Sequence, residues 1–365
     1  MIQPNDATRY RAAPADTVVL CVNEVVMLQR RFLVGTYTTQ RASRGLYLCA
    51  MDPSGRIDVV DACEMADPSF VVLHPTLPLA YVVNETPTGH GCVSAVAIGD
   101  RLEPRQRVDS EGELPCHLAV LDGGLGLAVA HYGCGTIGVF ELDARGAIAA
   151  PARTWRHVGA SVHPRRQSSA HPHNVLVDAS GDVHVADLGQ DCVVRYTGAG
   201  WEEASRCAIH AGAGPRHLCL DETHGVGWLS NELDNTVSRL AIEADRSLRE
   251  LDWVGTLPAG FTGRSAVSEI ARHPGGHWLY VGNRGHDSIA WYSIGEAGRL
   301  TFNGTVPALG RHPRHFAVSA DGTAMLVANR DSDNVVAFRI GASGRPEPLA
   351  EPFTGVPAPA CIAWL

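Results

Sequence analysis

Four residues of this chain combine acid–base and anion-binding chemistry that folding alone does not require: His173, Arg216, Glu232 and Arg284. A histidine exchanges a proton near neutral pH, a glutamate supplies a carboxylate, and guanidinium groups offer planar forks to carboxylate or phosphate oxygens. Arg314 and Arg330 extend the same chemistry, because guanidinium groups gathered near one point repel unless an anion or an acidic side chain neutralises them. All thirty basic residues are arginine. That excludes lysine Schiff-base chemistry, a pyridoxal anchor and the P-loop lysine.

These residues meet only if the fold brings them together, and an internal repeat does so. Seven short apolar runs end in a polar residue: Phe32–Tyr37, Ala80–Glu85, Leu127–Tyr132, Val183–Leu188, Trp228–Glu232, Leu279–Arg284 and Leu326–Arg330. Their equivalent positions, Thr36, Asn84, His131, Asp187, Asn231, Asn283 and Asn329, recur roughly every 44 to 56 residues, the spacing of propeller blades. Each run after the first follows a β-type segment and a turn, as in Pro115-Cys-His-Leu, Pro215-Arg-His-Leu and Pro313-Arg-His-Phe. Gly and Asp at the turns supply the positive φ that tight hairpins need. Three or four antiparallel strands per unit make an all-β, seven-bladed β-propeller. The first run lacks a preceding Pro-x-x strand, whereas Pro359–Leu365 is such a strand without a successor. The ring is therefore expected to close by pairing of N-terminal and C-terminal strands, which removes exposed edges. Residues 31–365 form one domain on this reading, and residues 1–30 are an extension outside the repeat that need not be ordered.

In a hairpin the start of the first strand and the end of the second share an edge, so the Pro-x-x and strand-ending positions of all blades converge on one mouth of the central channel. Residues that depart from the repeat are not needed to build a blade, which singles out Glu232 and His173. Asn231 and Asn283 end strands, where turn hydrogen bonding alone accounts for them, and His117, His217 and His315 share one repeat phase, as scaffold residues do. With His131, Arg314 and Arg330 they nevertheless stand where a substrate could bind.

The remaining composition narrows the function. The net charge is −9 with scattered arginines, which gives no footprint for nucleic acid, and no apolar run is long enough to span a bilayer. Ten dispersed cysteines contain no C-x-x-C pair, and the histidines and acids arise from different blades at no diagnostic spacing, so neither a metal nor another cofactor is expected. No signal-peptide pattern is visible and a cytoplasmic location is expected.

Leu33-Val-Gly-Thr-Tyr-Thr, His171-Pro-His, Gly214-Pro-Arg-His-Leu, Ser230-Asn-Glu-Leu-Asp-Asn-Thr-Val, Gly282-Asn-Arg and Ala328-Asn-Arg-Asp-Ser-Asp-Asn together resemble the seven-bladed lactonase family over about residues 31–365. That family includes propeller-type 6-phosphogluconolactonases and 3-carboxy-cis,cis-muconate lactonizing enzymes. The resemblance implies a site of one histidine, two arginines and one glutamate, which fall by motif on His173, Arg216, Glu232 and Arg284. It implies hydrolysis of a sugar-derived, anionic lactone, with a small lactone or carboxylate as the partner. Glu232 or His173 is the base. The chain departs from the family at Arg330 and Cys116, which bears on the substrate rather than the site. A muconate cycloisomerase using the same arginines, and a non-catalytic binding propeller, are the rival readings.

Overall fold

Every apolar run of the repeat is the second strand of an antiparallel sheet, and among the described residues the sheets number seven: one of five strands and six of four. The computed structural model describes residues 17–22, 25–39, 41–121, 123–198 and 200–365. In chain order, blades 2 to 7 span residues 68–113, 115–156, 172–208, 215–255, 266–307 and 313–348. Blade 1 joins both ends of the chain. Its strands Val25–Thr36, Gly45–Met51 and Ile57–Glu64 are completed by Pro359–Trp364, with Phe32 opposite Trp364 and Val34 opposite Ile362. Of the expected N-terminal extension, residues 1–16 lie outside the described residues, while Thr17–Val22 pairs with the start of Val25–Thr36, Thr17 opposite Arg30.

The runs are rich in Val, Leu, Tyr and Ala because each second strand is buried on both faces between neighbouring blades. Tyr81 and Val83 of blade 2 pack on Leu127, Val129 and Phe140 of blade 3, and Trp228 of blade 5 packs with Leu279, Val281 and Tyr292 of blade 6. Burying a large apolar side chain contributes about 1.5–3 kcal/mol, so these interblade layers carry the ring. Trp228 also donates its indole N–H to the Gly298 carbonyl at 2.9 Å.

One irregularity recurs in all seven blades. In six blades the register slips just after the first paired residue of the innermost strand, leaving Ser69, Cys116, His173, Arg216, Arg314 and Ala360 without a direct cross-strand partner, and in blade 6 it slips after the second, Val267, leaving Ser268 and Glu269. A bulge of this kind bends the strand and re-aims a side chain. His173, Arg216 and Arg314, which stand out in the sequence, are all bulge residues.

Candidate active site

A second recurring device fixes the residue that follows the second strand in six of the seven blades. Its backbone N–H bonds to the carbonyl just ahead of the innermost strand: Tyr37 to Ala358, Glu85 to Asp67, Tyr132 to Leu114, Leu188 to His171, Glu232 to Gly214 and Arg330 to His312. Bulge residues and post-strand residues thus lie side by side around the mouth. Gly214 has φ +69°, and a Cβ there would stand 2.4 Å from Leu233 Cγ, so only glycine fits ahead of Pro215-Arg216.

Glu232 is the centre of the cluster. Its Oε1 accepts from Arg166 Nη2 at 2.5 Å and its Oε2 from Arg216 Nε at 3.2 Å, while Arg284 Nη2, which donates to the Val267 carbonyl, forms an ion pair with Oε2 at 2.7 Å. His173 Nε2 stands 3.9 Å from the same oxygen. Burial alone would raise the pKa of Glu232, but the guanidinium groups of Arg284, Arg216 and Arg166 hold it well below the usual carboxylate range. At His173 burial works the same way as the neighbouring Arg216 charge: both disfavour the imidazolium and keep the ring neutral, well below the ordinary histidine range. Its Nδ1 is buried without a hydrogen-bond partner, and so is Nη1 of Arg216. Burial, Arg284 and Arg314 push Arg216 down to about 10, so it stays a cation at neutral pH. Cys116 cannot serve as a nucleophile at this pH, because burial holds its thiol far above its normal range.

Arg314, Glu85 and Tyr37 form a second cluster across the mouth. Tyr37 donates its hydroxyl to Glu85 at 2.7 Å, and Arg314 lies 3.7 Å from Glu85 with its guanidinium 5.3 Å from the Tyr37 ring centroid. Arg330 pairs with Asp331 at 2.7 Å.

Three of the expected substrate-contacting residues do not reach the mouth, which corrects their assignment. His131, Asn231 and Asn283 are fully buried inside their blades. Asn231 Nδ2 donates to Thr236 and Ser238, Asn283 Nδ2 to the Thr256 carbonyl, and His131 Nδ1 bonds Thr136. They tie the second strand to neighbouring segments, and the mouth-lining position is the next residue along. His117, His217 and His315 fill the channel beneath the mouth with Phe70 and Glu269. Glu269 accepts from His217 Nδ1 at 3.0 Å and lies 3.1 Å from His315 Nε2, and His217 lies 5.4 Å from His173 between ring centroids.

Arg166, Tyr37 and Glu85 belong to the mouth but are not among the candidates from sequence. Tyr132, Tyr37 and Glu85 are in phase with Glu232 and Arg284, so aligning the blades finds them. Arg166 has no such signal: it comes from the loop between blades 3 and 4, held by Asp191, which accepts from Ser161, Gln167, Gly212 and Gly214 at 2.5–2.8 Å. The same aspartate therefore places both Arg166 and the approach to Arg216. Arg166→Ala is expected to lower kcat/KM about tenfold without changing thermal unfolding, less than the loss of a fully buried arginine because its ion pair is open to water. An unchanged kcat/KM would remove Arg166 from the site.

The buried histidines also set a pH dependence of folding. His117, His131, His173, His217 and His315 all have pKa values lowered, chiefly by burial, below the unfolded value near 6.5. Between that value and their folded pKa values the unfolded chain binds more protons, so stability is full above pH 6.5 and falls as the pH drops. Each histidine contributes up to about 1.4 kcal/mol per pH unit. The urea midpoint should therefore decline steeply from pH 7 to 5; a flat midpoint would show that these rings are not neutral in the fold.

Among the described residues one trio of metal-ligating types is close-set, His90, Asp109 and Glu111 on the two outer strands of blade 2, the first two exposed and Glu111 half-buried. No helix among them is long and apolar enough to cross a membrane.

Residues 31–364 match the family described as "Lactonase, 7-bladed beta-propeller". A 6-phosphogluconolactonase of Bacillus subtilis is 29% identical over 91% of this chain and 97% of its own length, and one of Formosa agariphila is 28% identical over 84% and 91%. The solved structure of a periplasmic gluconolactonase of Pseudomonas aeruginosa, 27% identical, superposes with a TM-score of 0.86 over 92% of this chain and 99% of that one.

Proposed function

The chain belongs to the seven-bladed β-propeller lactonase family, and from that premise we propose that it hydrolyses a sugar-derived lactone at the Glu232 cluster, with His173 as general base. The relatives' names share a gluconolactone ring and differ in the phosphate, which supports a sugar lactone and leaves its charge to the site.

The observation that carries the assignment of roles is the opposite electrostatic fate of the two candidate bases. Glu232 is held as a carboxylate by three guanidinium groups and is a weak base; its part is to fix Arg166, Arg216 and Arg284 and offset their charge. His173 is neutral, with Nδ1 unpartnered, and so can take a proton from water as that water attacks the lactone carbonyl. Glu232, 3.9 Å from Nε2, then stabilises the imidazolium. Negative charge grows on the carbonyl oxygen in the tetrahedral intermediate, and the unpartnered Nη1 of Arg216 is the donor for it. As the ring C–O bond breaks, the imidazolium returns its proton to the leaving alkoxide and the product is a hydroxy acid.

Five arginines at the mouth, Arg166, Arg216, Arg284, Arg314 and Arg330, face four carboxylates, Glu232, Glu85, Asp67 and Asp331. On this reading the anion that the arginine surplus serves is the oxyanion and the carboxylate that hydrolysis itself creates. Acid release in a pH-stat from 6-phosphogluconolactone, unphosphorylated sugar lactones and carboxymuconolactone tests the proposal. Release from a sugar lactone well above its spontaneous rate is expected. Release from carboxymuconolactone alone would favour the muconate reading, and release from none would overturn hydrolysis.

A further inference from the structure

Blades 7, 1 and 2 enclose a cavity of about 270 Å3 at the mouth that the reaction steps above do not use, walled by Tyr37, Thr39, Asp67, Glu85, Arg314 and Arg330. Arg314 joins it to the catalytic side, since its charge is felt at Arg216, Arg284 and His173. Two arginines in this wall face two carboxylates, and each acidic group is held in place. Asp67, almost fully buried, accepts from the backbone N–H of Thr38 at 2.7 Å and of Thr39 at 2.9 Å, and also from the Thr39 hydroxyl. Glu85 accepts from Tyr37, whose hydroxyl stays protonated because burial raises its pKa and the Glu85 charge adds to that effect.

Pro87 and Leu114 complete the wall, whose polar part sets fixed donors beside fixed acceptors. A row of sugar hydroxyls, each both donor and acceptor, can satisfy both kinds. A phosphate dianion accepts but does not donate, and it would meet Glu85 and Asp67 as like charges in a partly water-excluded cavity. We propose that this cavity is the subsite for the uncharged, polyhydroxylated arm of the lactone, and that Glu85 makes the protein discriminate against a phosphate at the end of that arm. The inference rests on the lactonase reading above and adds the class of substrate.

The test compares kcat/KM for gluconolactone and its 6-phosphate in the wild type, Glu85→Gln and Arg330→Gln. The wild type should favour the unphosphorylated lactone at least about tenfold. Glu85→Gln should move the ratio roughly tenfold toward the phosphate, and Arg330→Gln, at a half-buried position, should move it the other way. A wild-type preference for the phosphate, or a ratio that Glu85→Gln does not move, overturns the proposal. Calorimetric binding of gluconate and 6-phosphogluconate, the two product acids, reads the same ratios without turnover. A protein that hydrolyses neither lactone but still prefers gluconate would sink the hydrolytic reading and leave the subsite standing.

Discussion

Arg216→Met should lower kcat for a sugar lactone at least about a hundredfold, the cost of removing one preorganised oxyanion donor from a buried site, while the propeller remains folded. Arg216 is 3% exposed, its Nε is committed to Glu232, and its Nη1 has no partner in the protein. Removing one partner of a buried ion pair usually destabilises strongly because it strands the other charge. Here Glu232 retains Arg284 and Arg166, and the repulsion between Arg216 and Arg284 disappears, so stability and turnover should separate. Steady-state acid release and thermal unfolding of the same sample read the two effects. A variant that keeps near-wild-type kcat would remove the oxyanion role from Arg216.

His173→Asn should cost between about a hundredfold and a thousandfold in kcat/KM, the range of a positioned general base, and should also change the shape of the pH profile. The active form of His173 is the neutral ring. Because burial and the Arg216 charge lower its pKa, wild-type kcat/KM should stay level as the pH falls through 6.5, where an ordinary imidazole would be half protonated, and decline only at lower pH. Asparagine cannot titrate, so the slow residual rate should lose that acid limb. A limb centred at 6.5 or above in the wild type, or one that persists in the variant, would exclude His173 as the base.

The repeat was readable from sequence because the same physical task is solved in each blade with the same residue types. Asn283 and Asn329 each bond a carbonyl of a neighbouring segment, at Thr256 and Ala308, and the Pro-x-x step precedes the bulge in most blades. The meeting of His173, Arg216, Glu232 and Arg284 followed from repeat phase, and the structure brings the four together. The direction of neighbouring side chains did not follow. One position separates Asn231, turned into its blade, from Glu232 in the mouth, and phase known to within a residue cannot divide them. Tyr37 and Glu85 were in phase but unremarked, since a tyrosine or glutamate at a strand end has many ordinary uses. Arg166 was out of reach because its position depends on Gln167 and Asp191 anchoring a loop outside the strands that carry the repeat.

The most direct test of a catalytic centre at Glu232 is acid release at saturating sugar lactone by Glu232→Gln beside the wild type, with the β-rich circular dichroism of both recorded. Glutamine keeps the shape and removes the charge that fixes Arg166, Arg216 and Arg284. A fall in kcat of at least about a hundredfold in a folded protein is the predicted result. A folded variant turning over at the wild-type rate would place the chemistry elsewhere.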